Sequence, residues 1–232
     1  MQLTDYPVTR RWPATRPGAI QLYSLPTPNG QKIGVALEEM GLEYEAHLVS
    51  FDREDQFTPE FLSVSPNNKI PAIIDPKGPD GEALALFESG AILLYLAEKT
   101  GKLLPKDAAG RWQVIQWLMW QMGGLGPMFG QVGFFHKFKG TEIEDPRPRQ
   151  RYLDESKRLL GVLDRQLDGQ DWVAGDFSIA DCAIGPWLGT FRDFYMAGDL
   201  VGWDDFANVP AYFDRFFARP SAQAAKNIPP RG

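Results

Sequence analysis

The sequence predicts a two-part protein, with an α/β half followed by an all-helical half. Short apolar runs alternate with helical patterns between residues 20 and 100, in the order βαβ and then αββα. Strand patterns then stop, and large apolar residues recur at helical spacing. The 232 residues are enough for one large domain or two small ones, since a chain of this length buries roughly 70% of its unfolded surface.

These changes of pattern also give the predicted boundaries. We expect an irregular arm at 1–18, an α/β domain at 19–101, a linker with proline and glycine at 102–110 and an all-helical domain at 111–232. Hydrophobic residues make up 44% of the chain and charged residues 23%, as in ordinary globular proteins. With a net charge of -6 the chain has no basic stripe, so we expect no nucleic-acid partner.

The α/β half is predicted element by element from short patterns. IQLYSL, which starts at Ile20, is a strand, and GQKIGVALEEMG is a helix that ends at Gly41. YEAHLV is the next strand, and TPEFLSV is a short helix opened by Thr58 with a proline at its first position. PAIID and ALALF are two strands around a Gly-Pro-Asp-Gly turn, and ESGAILLYLAEKTG is a buried helix.

The second half is predicted to be helical throughout. RWQVIQWLMWQM and RYLDESKRLLGVLDRQL carry large apolar residues at helical spacing, and the second of these helices opens at Arg151. FSIADCAIGPWLG starts another helix, in which Ser178 and Asp181 have the S-x-x-D spacing of a capping box. Cys182, the one cysteine, follows them and should be buried and unreactive.

The few cysteine and histidine residues limit which disulfides, metal sites and catalytic pairs the chain can form. One cysteine allows no intrachain disulfide and no thiolate metal cluster, which fits a reducing compartment such as the cytoplasm. His47 lies in a predicted strand and His136 in an aromatic segment, so we expect no shared metal site and no nucleophile–base pair.

The first eighteen residues carry arginines at 10, 11 and 16 against one acid, Asp5. They have no continuous apolar core, so we expect neither a secretory signal nor a membrane span there, and no membrane partner. Two interpretations stay open for this arm: it lies on an acidic surface of its own chain or of a partner subunit, or it is disordered.

Two segments of the α/β half could bind a peptide. A cis bond before Pro71, in NNKIPAI, would turn the backbone groups of Ile70 toward an extended ligand, although an ordinary trans proline is the more frequent case. Glu88 and Ser89 open a helix, where a hydroxyl and backbone N–H groups can bind a carboxylate and Glu88 an ammonium group. The alternative is that both residues only cap their helix.

The segment PTPNGQ places Thr27 as an N-cap with proline at the first helical position. A sulfur presented there would meet the positive end of the helix dipole, the Thr27 hydroxyl and the Asn29 amide, all of which favour a thiolate. Lowering a thiol pKa by two units from about 8.5 needs only about 2.7 kcal/mol. The turn therefore needs no cysteine if a ligand supplies the sulfur.

Several long strings resemble one family. The element order, with NKIPAI and FESGAILLYLAEK, resembles the cytosolic glutathione transferases over about residues 20–222. Within that superfamily the nu class is the most similar, on TPNGQK, QFTPEFL, SPNNKIPAIID, LFESGAILLYLAEKTG and QWLMWQMGGLGPM. The resemblance implies a thioredoxin-like domain followed by a helical bundle, and the glutathione-dependent disulfide-bond reductase and peroxidase activity for which this class is known.

The resemblance also implies a glutathione site. The family uses its cis-proline, here Pro71, to hold the cysteinyl residue of glutathione, and its Glu-Ser pair to bind the γ-glutamyl end. Thr27 and Asn29 would be the catalytic residues. The other residues that would line this site, with Lys69 available to the glycyl carboxylate, are Gln56, Asn68, Lys69 and Ile70.

A second glutathione is implied by Arg151, because an arginine in the matching RY of nu-class proteins holds one close to the first. By residue statistics alone Arg151 is a solvated residue of a helix surface. Two glutathiones would suit a reductase, since both thiols leave together as oxidised glutathione.

We therefore expect a cytoplasmic, homodimeric, glutathione-dependent disulfide-bond oxidoreductase, with organic peroxide reduction as a second activity. Its acceptor would be a small disulfide or peroxide bound in a cleft against the helical half. Two alternatives stay open, namely a transferase that conjugates glutathione to small electrophiles, and a non-catalytic glutathione-binding regulatory protein.

Overall fold

The computed structural model describes residues 1–230, which form two compact units. The first comprises Met1–Lys102 together with residues 220–230, and the second spans Leu103–Arg219. The second unit differs from the expected range 111–232 at both ends. A helix already begins at Ala108, and residues 220–230 pack within the first unit.

The first unit is built on one four-stranded sheet. Its strands are β1 (Ile20–Ser24), β2 (Tyr44–Leu48), β3 (Ala72–Asp75) and β4 (Leu84–Phe87). Their spatial order is β2-β1-β3-β4, with β1 parallel to β2 and the other pairs antiparallel. The helices of this unit are α1 (Val8–Arg11), α2 (Pro28–Met40), α3 (Pro59–Leu62), α4 (Ser89–Thr100) and α11 (Pro220–Ala225). The predicted order βαβ and then αββα is confirmed.

Local chemistry accounts for these boundaries. Every residue of β1 and of β3 is buried, as expected for the central strands of a sheet covered on both faces. Helix α2 ends at Gly41, whose φ of 67° lies in the left-handed region that glycine adopts at low cost. The Thr58 hydroxyl accepts a hydrogen bond from the backbone N–H of Phe61 and so caps α3.

The N-terminal arm is ordered, which excludes the disordered alternative for these residues. Leu3, Tyr6 and Val8 are buried in the same core cluster as residues of the sheet, and Val8 begins the short helix α1. Arg11 pairs with Asp55, and Arg16 lies 4.0 Å from the Glu43 carboxylate. Arg11 and Arg16 therefore meet acidic groups of their own chain, as one form of the other interpretation expects, whereas Arg10 is exposed. The arm is not irregular throughout, since it contains the short helix α1.

The second unit is helical. Its helices are α5 (Ala108–Trp120), α6 (Gly126–Lys137), α7 (Arg147–Gln166), α8 (Ile179–Gly189), α9 (Gly198–Val201) and α10 (Val209–Phe217). Wide π-type turns, Gln121–Leu125 and Thr190–Phe194, follow α5 and α8. Arg151 lies one turn inside α7 rather than at its start, because the helix is opened by Pro146 and Arg147. Within residues 1–230, no helix is both long and apolar enough to cross a bilayer.

Helix α8 is anchored by the predicted capping box. The Ser178 hydroxyl accepts from the N–H of Ala180, and the Asp181 carboxylate accepts from the N–H of Ser178 at 2.9 Å. The same carboxylate also accepts from the N–H of Val173 and from the Tyr212 hydroxyl, both at 3.0 Å. Asp181 is fully buried, so this one side chain satisfies several donors that water cannot reach.

Replacing Asp181 by alanine should lower the free energy of unfolding of the second unit by about 3 kcal/mol, because several buried donors lose their acceptor. Urea denaturation followed by circular dichroism measures this change. Asp168→Ala, which alters an exposed aspartate just after α7, serves as the control and should change stability by less than about 0.5 kcal/mol. Equal stabilities for the two variants would contradict the anchoring role.

Candidate functional site

The pairing of the strands brings several loops to one end of the sheet. Tyr23, near the end of β1, lies opposite Ala72, the first residue of β3. Ala72 in turn lies opposite Phe87, the last residue of β4. The segments that follow β1, precede β3 and follow β4 therefore leave the sheet at the same end, which we call the site end.

Strand β2 adds a fourth segment to the site end. It runs parallel to β1 with Leu48 opposite Ser24, so the loop after β2 also leaves there. The register thus places at the site end the segments that carry all but one of the predicted site residues, namely Thr27, Asn29, Gln56, Asn68, Lys69, Ile70, Pro71, Glu88 and Ser89. Arg151 belongs to the second unit.

The turn between β1 and α2 presents a helix N-terminus. Thr27 occupies the N-cap position and Pro28 the first helical position, as predicted, but the Thr27 side chain makes no capping hydrogen bond. The predicted capping bond is therefore wrong, because the threonine hydroxyl is not directed to the helix N–H groups. A Cβ on Gly30 would lie 2.0 Å from the Leu25 carbonyl oxygen, so only glycine fits where the turn packs on the helix. Asn29 stands in this first turn, at the positive end of the helix dipole.

The loop before β3 has an unusual backbone. The Ile70–Pro71 bond is cis, as the resemblance implies and against the trans alternative. Asn68 has a φ of 56°, and the hydroxyl of Ser65 donates to the Lys69 carbonyl oxygen at 2.7 Å. The side chain of Lys69 is exposed. The cis bond and this hydrogen bond define the shape of the loop backbone. The Lys69 ammonium group extends into solvent.

The segment after β4 is strained. Glu88 has a φ of 70° and a ψ of 110°, a conformation that costs a residue with a Cβ about 1–3 kcal/mol. Its side chain is exposed and makes no capping hydrogen bond to α4, which removes the capping interpretation for this residue. Ser89 begins α4 and is buried. Strain of this kind is retained mainly where a binding or catalytic role requires it.

Lys32 is a residue of the site end that the sequence did not reveal. Its side chain is 1% exposed, and its ammonium group donates to the Ser89 hydroxyl oxygen at 3.3 Å. Burial lowers the pKa of Lys32 to about 7, although the Glu88 carboxylate acts in the opposite direction. A lysine inside an amphipathic helix is normally a surface residue, so only its packing shows that it stands behind Ser89. A cation there favours an anionic group at the start of α4.

Two side-chain acceptors near the site end are buried without a partner. The Gln56 Oε1 and Asn68 Oδ1 atoms are shielded from solvent and accept no hydrogen bond from any of residues 1–230. Such atoms cost about 1–3 kcal/mol each, so they point to a ligand that supplies donors. A peptide with N–H groups and terminal carboxylates fits these acceptors, the Lys69 cation and the helix start at Ser89. Glutathione is such a peptide.

The second unit holds an arginine-lined cavity of about 910 Å³. Arg151 and Tyr152 of α7 line it, together with Met128 of α6 and further charged residues of α7, namely Arg147, Asp154, Glu155 and Arg158. Arg147 is paired with Asp145, and Arg158 with Glu155. Arg151 also attracts the Glu155 carboxylate and helps to lower the pKa of that group. Unlike Arg147 and Arg158, Arg151 has no ion pair within 4.0 Å among residues 1–230, so it is the arginine best placed to bind an anionic ligand.

The single cysteine lies outside these regions. Cys182 belongs to α8 and is fully buried, as predicted. The site end itself contains no sulfur that could act as a nucleophile.

Comparison with known proteins agrees with this arrangement. Residues 18–98 match the model of the glutathione S-transferase N-terminal domain, and residues 146–215 match that of the C-terminal domain. The chain is 50% identical over 192 residues to the disulfide-bond oxidoreductase YfcG of Escherichia coli K12, covering 80% of this chain and 88% of that protein.

Two crystal structures of glutathione transferases are also similar. The one from Pseudomonas putida, with one glutathione disulfide bound per subunit, has 61% identity and a TM-score of 0.97 and covers 99% of this chain and 100% of its own. The one from Burkholderia graminis, with two glutathione molecules bound per subunit, has 61% identity and a TM-score of 0.98. The match covers 100% of this chain and 97% of that chain.

Replacing Lys32 by methionine should remove a pH dependence of stability. The lysine pKa is about 7 in the folded protein and about 10.4 when unfolded, so between these values the unfolded chain binds more protons. Lys32 therefore makes the wild type gain stability as pH rises from 7 to 10, by up to about 1.4 kcal/mol per pH unit. Urea denaturation at several pH values measures this gain. Lys77→Met, which alters an exposed lysine, should keep it, and a Lys32→Met variant with the wild-type slope would contradict the burial of the cation.

Proposed function

The chain belongs to the glutathione S-transferase family, and we propose that it is a glutathione-dependent disulfide-bond oxidoreductase of the nu class. One observation carries the proposal. At the site end the N-terminus of α2, Thr27 and Asn29 favour a thiolate, but no residue there supplies a thiol. The similarity to a disulfide-bond oxidoreductase over 88% of that protein supports the same activity.

We assign the binding of glutathione to the residues of the site end. The γ-glutamyl carboxylate would meet the Ser89 hydroxyl and the N-terminus of α4, with the Lys32 cation behind them, while Glu88 would take the ammonium group. The unpartnered oxygen atoms of Gln56 and Asn68 would accept peptide or amino N–H groups. Further contacts would come from the backbone of Ile70 beside Pro71 and from Lys69 to the glycyl carboxylate. The glutathione found in similar structures supports this use of the fold.

Thr27 and Asn29 would act on the sulfur. The hydroxyl of Thr27 is not used in capping, and Asn29 stands in the first turn of α2. Both side chains can donate to a thiolate but not remove its charge, and the helix dipole acts in the same direction. Two or three such interactions are enough to lower a thiol pKa by about two units.

Glutathione supplies the electrons. One thiolate attacks a sulfur of the substrate disulfide, which gives a mixed disulfide and releases one thiol; a second glutathione thiolate then gives oxidised glutathione and the second thiol. The arginine-lined cavity with Arg151 would hold the carboxylates of a second glutathione. The same two thiols can reduce an organic peroxide to an alcohol and water, which is the proposed second activity. The reducing glutathione pool of the cytoplasm fits this reaction, so we place the protein there.

The activity test compares a small disulfide with an electrophile. Purified protein should reduce bis(2-hydroxyethyl) disulfide with glutathione, with negligible conjugation of chloro-nitrobenzene compounds. The Asn29→Ala variant should raise the apparent pKa of the bound thiol by about one unit, because one donor to the thiolate is lost. The pH–rate profile and the thiolate absorbance of the complex measure this shift. Asn227→Ala, which alters an exposed residue, should keep the wild-type profile.

Three results would count against the proposal. Fast conjugation with slow disulfide reduction would favour the conjugating alternative. Glutathione binding without turnover of disulfides or peroxides would favour the regulatory alternative. A glutathione complex with no thiolate below alkaline pH would remove the chemical basis of both the reductase and the conjugating hypotheses.

We also propose a homodimer. The first unit exposes large apolar side chains in the segment between β2 and β3, namely Phe51, Phe57 and Leu62. A second copy would cover these side chains.

Phe57→Asp should therefore shift the protein from dimer to monomer in sedimentation equilibrium at micromolar concentration, because a carboxylate at the interface core would be desolvated. Leu200→Asp, at a comparably exposed position in the second unit, should leave the dimer intact. A wild type that sediments as a monomer, or a Phe57→Asp variant that stays dimeric, would contradict this surface.

A further inference from the structure

The N-terminal arm lies outside the family domain, whose match begins at residue 18, yet it is built into the first unit. Its apolar residues belong to the core cluster that contains Tyr23 and Phe61. Trp12 packs edge-on against both of these rings, and its indole N–H donates to the Leu48 carbonyl oxygen at 3.0 Å. Leu48 is the last residue of β2, so the arm reaches the strand that leads into the Gln56 loop.

One ion pair extends this contact into the loop. The Arg11 guanidinium pairs with Asp55, whose side chain is 1% exposed. The second carboxylate oxygen of Asp55 accepts from the N–H of Ser50 at 2.8 Å and from Arg53 at 3.1 Å. Burial alone would raise the pKa of Asp55, but the bonds from Arg11, the Ser50 N–H and Arg53 hold it below its usual range. Asp55 is therefore a charged anchor at the centre of the loop.

Asp55 is also the first residue of the 3₁₀ turn that carries Gln56. The N–H of Asp55 donates to the Ser50 carbonyl oxygen at 3.0 Å, and its own carbonyl oxygen accepts from the Thr58 hydroxyl at 2.7 Å. Gln56 follows directly, with its buried Oε1 atom lacking a hydrogen-bond partner among the described residues. A change in the position of Asp55 would move this acceptor.

We propose that the arm positions the glutathione site: Arg11 holds Asp55, and Asp55 holds the turn that aims Gln56 at the ligand. Arg11 is thus a positioning residue and not a catalytic one. The inference rests on the proposed binding role of Gln56. It gives the arm, which precedes the family domain, a part in the affinity for glutathione.

The test measures the Kd for reduced glutathione by isothermal titration calorimetry. Arg11→Met should weaken binding about fivefold, the equivalent of losing one hydrogen bond of about 1 kcal/mol, and should raise the KM for glutathione with an unchanged kcat at saturation. Asp55 keeps its bonds from Ser50 and Arg53, so the variant should stay folded, which circular dichroism checks. Arg11→Lys retains the charge and should lose less affinity. Arg10→Met alters an exposed neighbour on the same helix and should bind as the wild type does.

A double-mutant cycle separates positioning from a merely structural effect. Gln56→Ala should weaken binding to a similar extent, and adding Arg11→Met to it should cause no further loss. The proposal is overturned if Arg11→Met binds normally, if it weakens binding equally in the Gln56→Ala background, or if Gln56→Ala binds normally. These results leave the proposed function intact, whereas a wild-type protein that does not bind glutathione would remove the proposed function itself.

Discussion

One backbone alignment determines where the candidate site lies. Tyr23 of β1 faces Ala72 of β3, and Ala72 faces Phe87 of β4. A shift of one residue in either pairing would turn the side chains of a strand to the opposite face of the sheet. It would also displace the cis-proline loop or the start of α4 relative to the N-terminus of α2. The fully buried central strands β1 and β3 specify this register, because each residue loses its packing if the strand slips.

The site end is organised at the expense of local stability. Glu88 and Asn68 have left-handed backbone angles, Lys32 is a cation with almost no solvent contact, and Gln56 holds a buried acceptor without a partner among residues 1–230. The two backbone conformations and the unpartnered acceptor each cost on the order of 1–3 kcal/mol, and the burial of Lys32 disfavours its charged form. A bound peptide with carboxylates and N–H groups would offset several of these costs together. The arm and the sheet supply the packing that lets the fold retain them.

What the sequence predicted well depends on short-range chemistry. The strand and helix order, the glycine end of α2 at Gly41 and the Ser178–Asp181 capping box follow from residues within a few positions of each other. The burial of Lys32 behind Ser89 depends on packing between elements distant in sequence. The sequence left the order of the arm open for the same reason, since the core partners of its apolar residues lie in elements distant along the chain. The cis bond before Pro71 was predicted from family resemblance, while base rates alone favoured trans.

A reductase whose site has no cysteine depends on how accurately it positions the thiol of its ligand. Under the proposed function, the sulfur that is oxidised leaves as oxidised glutathione, and the protein forms no covalent intermediate. Cys182 is fully buried in α8, so its thiol is shielded from the substrate. The proposed reaction does not use this thiol. The glutathione pool then sets the driving force, and the protein contributes only a lowered thiol pKa and a fixed position of the peptide. Because the α2 N-terminus acts on charge only within about its first turn, a ligand held loosely by Ser89 or Gln56 would lose that effect.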